Sequence, residues 1–154
     1  MQIQIQKATL EEILPLRHLV LRPHVLTLEQ CKNPNDDQEE TLHLSAKNQN
    51  QIIGIATFEK DLNEELLKTE NFNSSYRLRG MAVHPQFRRL GVGMSLVQFG
   101  EIELRKRGCD FIWFNARIGA FSFYESMEYK FFGDFFDVPH IGTHKVMYKA
   151  LITR

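Results

Sequence analysis

Residues 76–116 constrain the fold more than any other stretch. "YRLRGMAV" (76–83) reads as a strand, and "HPQFRRLGVG" (84–93) carries two glycines. A helix-periodic run follows from Val92 to Arg107, and "DFIWFNA" (110–116) is a nearly continuous apolar strand. Two strands flanking a helix form a βαβ unit, so this pair is expected to be parallel. Unbroken apolarity in the second strand fits the middle of a sheet covered on both faces. Lys106 and Arg107 suit the helix's last turn, and Gly108 suits the position just beyond it.

The remaining segments add antiparallel elements. Ile3 and Ile5 alternate with Gln, as in a half-buried strand. Thr9 with Glu12 forms a capping box, which predicts a helix to about Val20. Leu10, Ile13, Leu14, Arg17 and Val20 occupy its spacing, and Pro15 should bend or tighten its middle. Residues 21–40, with Pro23, Pro34 and an Asn/Asp cluster, read as a long loop with one short helical piece. "TLHLSAK" and "IIGIATFEK" predict an antiparallel hairpin across the polar "NQNQ". The acidic segment 61–74 reads as a loop with a helical turn. Gly80 suggests a bulge or a close approach to the backbone. Ala120, Phe123, Tyr124 and Met127 mark one stripe of a short helix. "YKFFGDFF" and "THKVMYKAL" are two further strands joined by "DVPHIG". Phe131, Phe132, Phe135 and Phe136 have both parities, which fits burial on two faces or an aromatic wall beside an acceptor pocket. The expected fold is a single mixed α/β domain over 1–154. Its sheet is twisted and mostly antiparallel around the parallel βαβ unit, with helices on both faces.

At 154 residues the chain can bury a substantial core as one domain. Nineteen basic side chains balance nineteen acidic ones, which disfavours a broad grip on nucleic acid. The start "MQIQIQKATL" has no signal-peptide pattern, and no apolar run approaches a membrane span. Cys31 and Cys109 form no CxxC or disulfide-dense pattern and read as buried thiols, so a cytoplasmic setting is expected. The histidines show no ligand spacing, so no metal site is expected.

The glycine turn asks for an anion. Amides at a helix start lack intrahelical partners, and the helix dipole favours negative charge there. Among phosphate-binding patterns, GxxxxGK[ST] is absent, and GxGxxG loses its third glycine to Leu96. R/Q-x-x-G-x-G/A is met by Arg88, Gly91 and Gly93, after a strand ending in "AVHP" and before a helix. Downstream, "NARIGAFSFYESMEYKFF" supplies a strand-end Asn, a short helix with Phe-Tyr, and final strands. On these residues the chain resembles the GNAT superfamily of N-acetyltransferases, closely over 76–132 and by element order throughout. The family usually reads Leu-Gly-Phe after the tyrosine; here it is Met127-Glu128-Tyr129. A non-glycine residue there must avoid the left-handed conformation or accept strain.

The resemblance implies acetyl-CoA, or another acyl-CoA, as co-substrate. The pyrophosphate would rest on amides of Arg89, Leu90, Gly91, Val92, Gly93 and Met94, with Arg88 and Arg89 nearby. The pantetheine arm would run beside Met81, Ala82 and Val83 as an added strand, in a slot left by a splay from the Phe111–Asn115 strand. Asn115 would hold the arm. The implied reaction is direct attack of a primary amine, from a small molecule or a protein, on the thioester. Tyr124 matches the family's tyrosine and would serve the departing thiolate as an acid. His140 is a substrate-side candidate; His24, Glu59 and a water chain stay open as the base, and His84 reads as a turn residue. A homodimer stays open. The rival reading is a non-catalytic module that binds or senses acyl-CoA.

Overall fold

The computed structural model describes residues 2–152. Its strands are β1 (Ile3–Lys7), β2 (Leu42–Asn48), β3 (Gln51–Lys60), β4 (Ser75–Val83), β5 (Phe111–Arg117), β6 (Lys130–Val138) and β7 (Gly142–Ala150). Its α-helices are α1 (Leu10–Leu21), α2 (Glu64–Glu70), α3 (Val92–Lys106) and α4 (Phe121–Glu125). The strands hydrogen-bond in the order β1-β2-β3-β4-β5-β7-β6. β4 and β5 are parallel, with Ser75–Arg77 beside Phe111–Trp113. The pairs β1–β2, β2–β3, β5–β7 and β6–β7 are antiparallel. The chain thus adopts the mixed, mostly antiparallel α/β fold expected of it. Two compact units divide it: residues up to Lys60 with Leu78–Glu103, and Asp61–Arg77 with the residues from Leu104 onward.

In the first unit the capping box forms as expected. Glu12 N donates to Thr9 Oγ1 at 3.2 Å, and Thr9 N donates to Glu12 Oε1 at 2.9 Å. α1 then lays Leu10, Ile13 and Leu14 into a core with Ile55 and Ala82. Arg17 keeps the apolar spacing of this face and is buried with it. Its guanidinium reaches Asp36 at 2.7 and 3.2 Å, the Cys31 carbonyl at 3.0 Å and Thr57 Oγ1 at 3.0 Å. Burial alone would push the Asp36 carboxyl up; the Arg17 hydrogen bond and the Asn33 amide outweigh it and hold the group below its ordinary value. The loop after α1, which contains only a 3-10 turn at Glu29–Cys31, is tied down by this network rather than by regular structure.

α3 packs on the opposite face of β3. A Cβ at Gly54 would fall 2.7 Å from Val92 Cγ1, and one at Gly100 would run into the Phe58 ring. Two glycines therefore let helix and strand approach closely. The β2–β3 hairpin is tighter than "NQNQ" suggests, because only Gln49 and Asn50 lie between the strands. Gly80 lacks the left-handed φ, and a Cβ there would make ordinary contact with Leu21 at 3.5 Å.

In the second unit α2 puts Leu66 on Phe111 and Trp113, with Leu67, Phe72, Phe132, Val146 and Tyr148 packed around them. Segment 61–74 is thus more ordered than a loop with one turn: Asn63 caps a seven-residue helix by accepting from Leu66 N at 3.1 Å. α4 covers the other face of β5 through Tyr124, whose ring lies 4.2 Å from that of Phe114. The phenylalanines of β6 divide between the two faces. Phe132 joins the α2 side, whereas Phe131 meets Phe121 of α4 at 4.9 Å. The β6–β7 connection is shorter than "DVPHIG", leaving only Pro139, His140 and Ile141 outside the strands. Cys31 and Cys109 are free and buried, and desolvation pushes the Cys109 thiol up to about 11. Among the described residues, no helix is long and apolar enough to cross a membrane.

Candidate active site

Of the expected residues, Met81–Val83 and Arg88–Met94 belong to the first unit, and Asn115, Tyr124 and His140 to the second. Between Met81–Val83 and the glycine turn, a 3-10 turn spans Pro85–Phe87. His84 caps it by accepting from Gln86 N on Nδ1 at 3.2 Å. That bond fixes His84 as the turn residue it was expected to be.

The turn itself alternates in backbone hand. Arg88 has φ −70°, Arg89 has φ 64°, Leu90 is not left-handed, and Gly91 has φ 83°. Alternation of this kind aims successive N–H groups into one concavity, a favourable seat for an anion. α3 opens immediately afterwards, with Ser95 N donating to Gly91 O at 3.0 Å. The amides of Val92, Gly93 and Met94 precede that first bond and are the helix's orphan donors. Arg88, Arg89 and Leu90 are exposed, so their side chains are free of core duties. Val92 is buried against the Gly54 position, which makes its side chain structural and leaves only its amide for a ligand. A left-handed, exposed arginine is a strained choice for a mere connector, at roughly 1–2 kcal/mol. Such strain is concentrated at ligand clamps.

In the second unit, Asn115 is half-buried on β5 and opposes Val146 of β7. Tyr124 is buried among Phe114, Phe123 and Tyr129. Desolvation raises its phenol above the ordinary range. Among the described residues, neither the Asn115 amide nor the Tyr124 hydroxyl is held by a side-chain hydrogen bond. The ring is positioned instead by packing and by its own carbonyl, which accepts from Met127 N at 3.0 Å and Tyr129 N at 3.1 Å. Glu128, at the place where glycine was expected, takes φ 71°; the chain accepts the strain. His140 is exposed at the tip of the β6–β7 hairpin with φ 66°. Ile141 N donates to Val138 O at 3.0 Å, and Pro139 precedes His140, which makes this a type II turn.

The sequence profile of the Acetyltransferase (GNAT) family matches residues 8–129. The chain belongs to the GNAT acetyltransferase family. It is 36% identical over 151 residues to an uncharacterized N-acetyltransferase of Bacillus subtilis (strain 168), YitI, covering 98% of each. It shares its fold with an aminoglycoside 6'-N-acetyltransferase solved with coenzyme A, at TM-score 0.78 and 16% identity over 98% of each chain. It is also similar to the ribosomal-protein-S18-alanine N-acetyltransferase from Escherichia coli, at TM-score 0.75 and 16% identity, covering 99% of this chain and 96% of that one. This GNAT protein is accordingly an N-acetyltransferase.

The sequence left Glu59 open as a base but did not single out its partner, Arg79. Glu59 of β3 is buried, and Arg79 Nη1 of β4 lies 3.6 Å from its Oε1. The available signal was two arginines on alternate residues of a strand, Arg77 and Arg79, next to a strand ending in Glu59-Lys60. Alone, such a pattern reads as a solvated face.

Proposed function

We propose that residues 1–154 act as one acetyl-CoA-dependent N-acyltransferase for primary amines of small molecules or proteins. The alternating turn at Arg88–Gly91, opening onto the orphan amides of α3, is the observation that carries this reading. It offers convergent donors for a diphosphate, with the arginines supplying charge at its edge. The coenzyme A in the solved aminoglycoside acetyltransferase supports the choice of co-substrate. Met81–Val83 serve as the strand along which the pantetheine arm hydrogen-bonds, and one of their N–H groups stabilises the oxyanion. Asn115 steadies the arm.

The amine lone pair attacks the thioester carbon, and collapse of the tetrahedral intermediate breaks the C–S bond. The departing thiolate is met by the Tyr124 hydroxyl. Because burial raises this phenol, full proton transfer to a thiolate of ordinary pKa about 8.5 is uphill. Tyr124 therefore serves by donating a hydrogen bond. The thiol's proton comes ultimately from the acceptor nitrogen, through water. This refines the expected role of Tyr124 from acid to hydrogen-bond donor.

Thermal unfolding with acetyl-CoA tests the reading first. Ligand at 100 times its dissociation constant should add about 2.7 kcal/mol. Release of CoA over a panel of amines then separates enzyme from sensor: binding without turnover on any amine would favour the non-catalytic module, and no binding would end both.

A further inference from the structure

Among the buried carboxylates of the first unit, Asp36 and Glu59 are served very differently. Asp36 receives the Arg17 guanidinium at 2.7 and 3.2 Å and the Asn33 amide at 2.6 Å, and both charged side chains are nearly sealed from water. That pair is closed. Glu59 is also buried, at 3% side-chain exposure, yet its cation stands 3.6 Å away on an arginine whose own side chain is 31% exposed. Such a distance lies outside good hydrogen-bond range. Among the described residues, no hydrogen bond to Glu59 accompanies it. A carboxylate removed from water needs a well-seated partner, and a single long contact does not supply one.

The location gives this looseness a meaning. Arg79 precedes Met81 by two residues on β4, so their side chains project to the same face about 6.6 Å apart along the strand. Met81 begins the stretch that, in the reading above, carries the pantetheine arm and the oxyanion donor. The Glu59–Arg79 pair therefore lies one side-chain repeat from the stretch assigned to the thioester. The other candidates named from the sequence are weaker. His84 spends Nδ1 on its turn, His24 is exposed on a loop, and His140 sits at a hairpin tip.

We propose that Glu59 receives the acceptor's positive charge, with Arg79 as the resident cation that covers it until the acceptor arrives. The favoured acceptors are then alkylamines, which reach the enzyme as ammonium ions and release one proton to solvent water before the lone pair attacks, rather than weakly basic amines that arrive neutral. The inference rests on the acetyl-CoA reading, because the position of Met81 gives the pair its place.

The test compares an alkylamine panel with weakly basic amines such as anilines and hydrazines, at neutral pH and saturating acetyl-CoA. Glu59→Gln should raise the KM for alkylamines at least tenfold. It should leave kcat, the KM for neutral amines and the calorimetric affinity for acetyl-CoA within about twofold. Arg79→Gln should do the reverse and lower the alkylamine KM, because it removes the competing cation. A purely structural pair would move both amine classes together in both variants, and that result would overturn the proposal. If Glu59→Gln does not fold, the Arg79→Gln comparison and the wild-type preference decide it: no preference for cationic acceptors and an unimproved Arg79→Gln would overturn it too. Wild-type protein that binds no acetyl-CoA would remove the underlying function as well. Normal binding and turnover without charge discrimination would remove this inference alone.

Discussion

Helices α3 and α4 end in one hydrogen-bond pattern on two different residues. After α3, Cys109 N donates to Leu104 O and Gly108 N to Arg105 O, both at 3.0 Å. After α4, Tyr129 N donates to Tyr124 O at 3.1 Å and Glu128 N to Glu125 O at 3.0 Å. Both are Schellman endings, and both require a left-handed residue. Gly108 supplies φ 77° and Glu128 supplies φ 71°. A Cβ at Gly108 would meet nothing within 4 Å, so packing does not exclude a side chain there. The preference for glycine is conformational alone, and at Glu128 the chain does without it. The fold thus dictates the turn, while the residue filling it can vary at a cost of about 1–2 kcal/mol.

Gly91 is the strongest place to break that equivalence. It too is left-handed, at φ 83°, with open space around a notional Cβ, but here the space is assigned to a diphosphate. Gly91→Asp should abolish measurable acetyl-CoA binding by calorimetry while the protein still folds, because bulk and negative charge would meet the phosphates. Gly91→Ala isolates the conformational part. It should lose roughly 1–2 kcal/mol of stability with a smaller drop in affinity than Gly91→Asp. Normal cofactor binding by folded Gly91→Asp would refute the assignment of this turn.

Tyr124 lends its carbonyl to the α4 ending, so Tyr124→Phe tests the hydroxyl while leaving the Schellman bonds intact. Turnover should fall on the order of 10²-fold, in the range of losing one positioned donor, with unchanged affinity for acetyl-CoA. Because burial raises the phenol, its ionisation lies above the working range, and the deficit should be constant between about pH 6 and 9. A deficit that appears only toward one end of that range would point to another titrating group. Gly108→Ala has a smaller effect and no catalytic consequence in this scheme: about 1–2 kcal/mol of stability should be lost, read in denaturant melts with kcat preserved.

Much of this was legible in local sequence because local physics decides it. The Thr9–Glu12 box, the β2–β3 hairpin, the α3 helix and Gly108 each depend on residues a few places apart. The parallel pairing of β4 with β5 followed from their flanking a helix. Arg17 was visible as a charge on an apolar spacing, but its partners Asp36 and Thr57 lie 19 and 40 residues away. No periodicity signals them. The Glu59–Arg79 pair was hidden for the same reason. The candidate site's residues came from motif likeness, whereas the left-handed Arg89, the strain at Glu128 and the desolvation of Tyr124 are consequences of three-dimensional packing.

The smallest effect sharpens the comparison most. Glu128→Gly removes left-handed strain but adds a glycine's freedom to the unfolded chain, and the two partly cancel. A net gain of up to about 1 kcal/mol is expected, read as a rise of about 2–4 °C in Tm. A competing term comes from the side chain, which lines a recess with Glu70, Tyr129, Lys130, Tyr148 and Lys149. Glu128→Gln keeps the strain and removes the charge, so it measures that term by itself. If Glu128→Gly is stabilising and Glu128→Gln neutral, the two helix ends differ only in backbone strain. If both variants lose stability, charge in the recess holds the glutamate in place. The rate decides whether the strain reaches the chemistry, because Tyr124 anchors this ending through its own carbonyl. An unchanged kcat in a stabilised Glu128→Gly would make the left-handed glutamate a tolerated cost; a lowered kcat with intact acetyl-CoA binding would mean that it sets the pose of the Tyr124 ring.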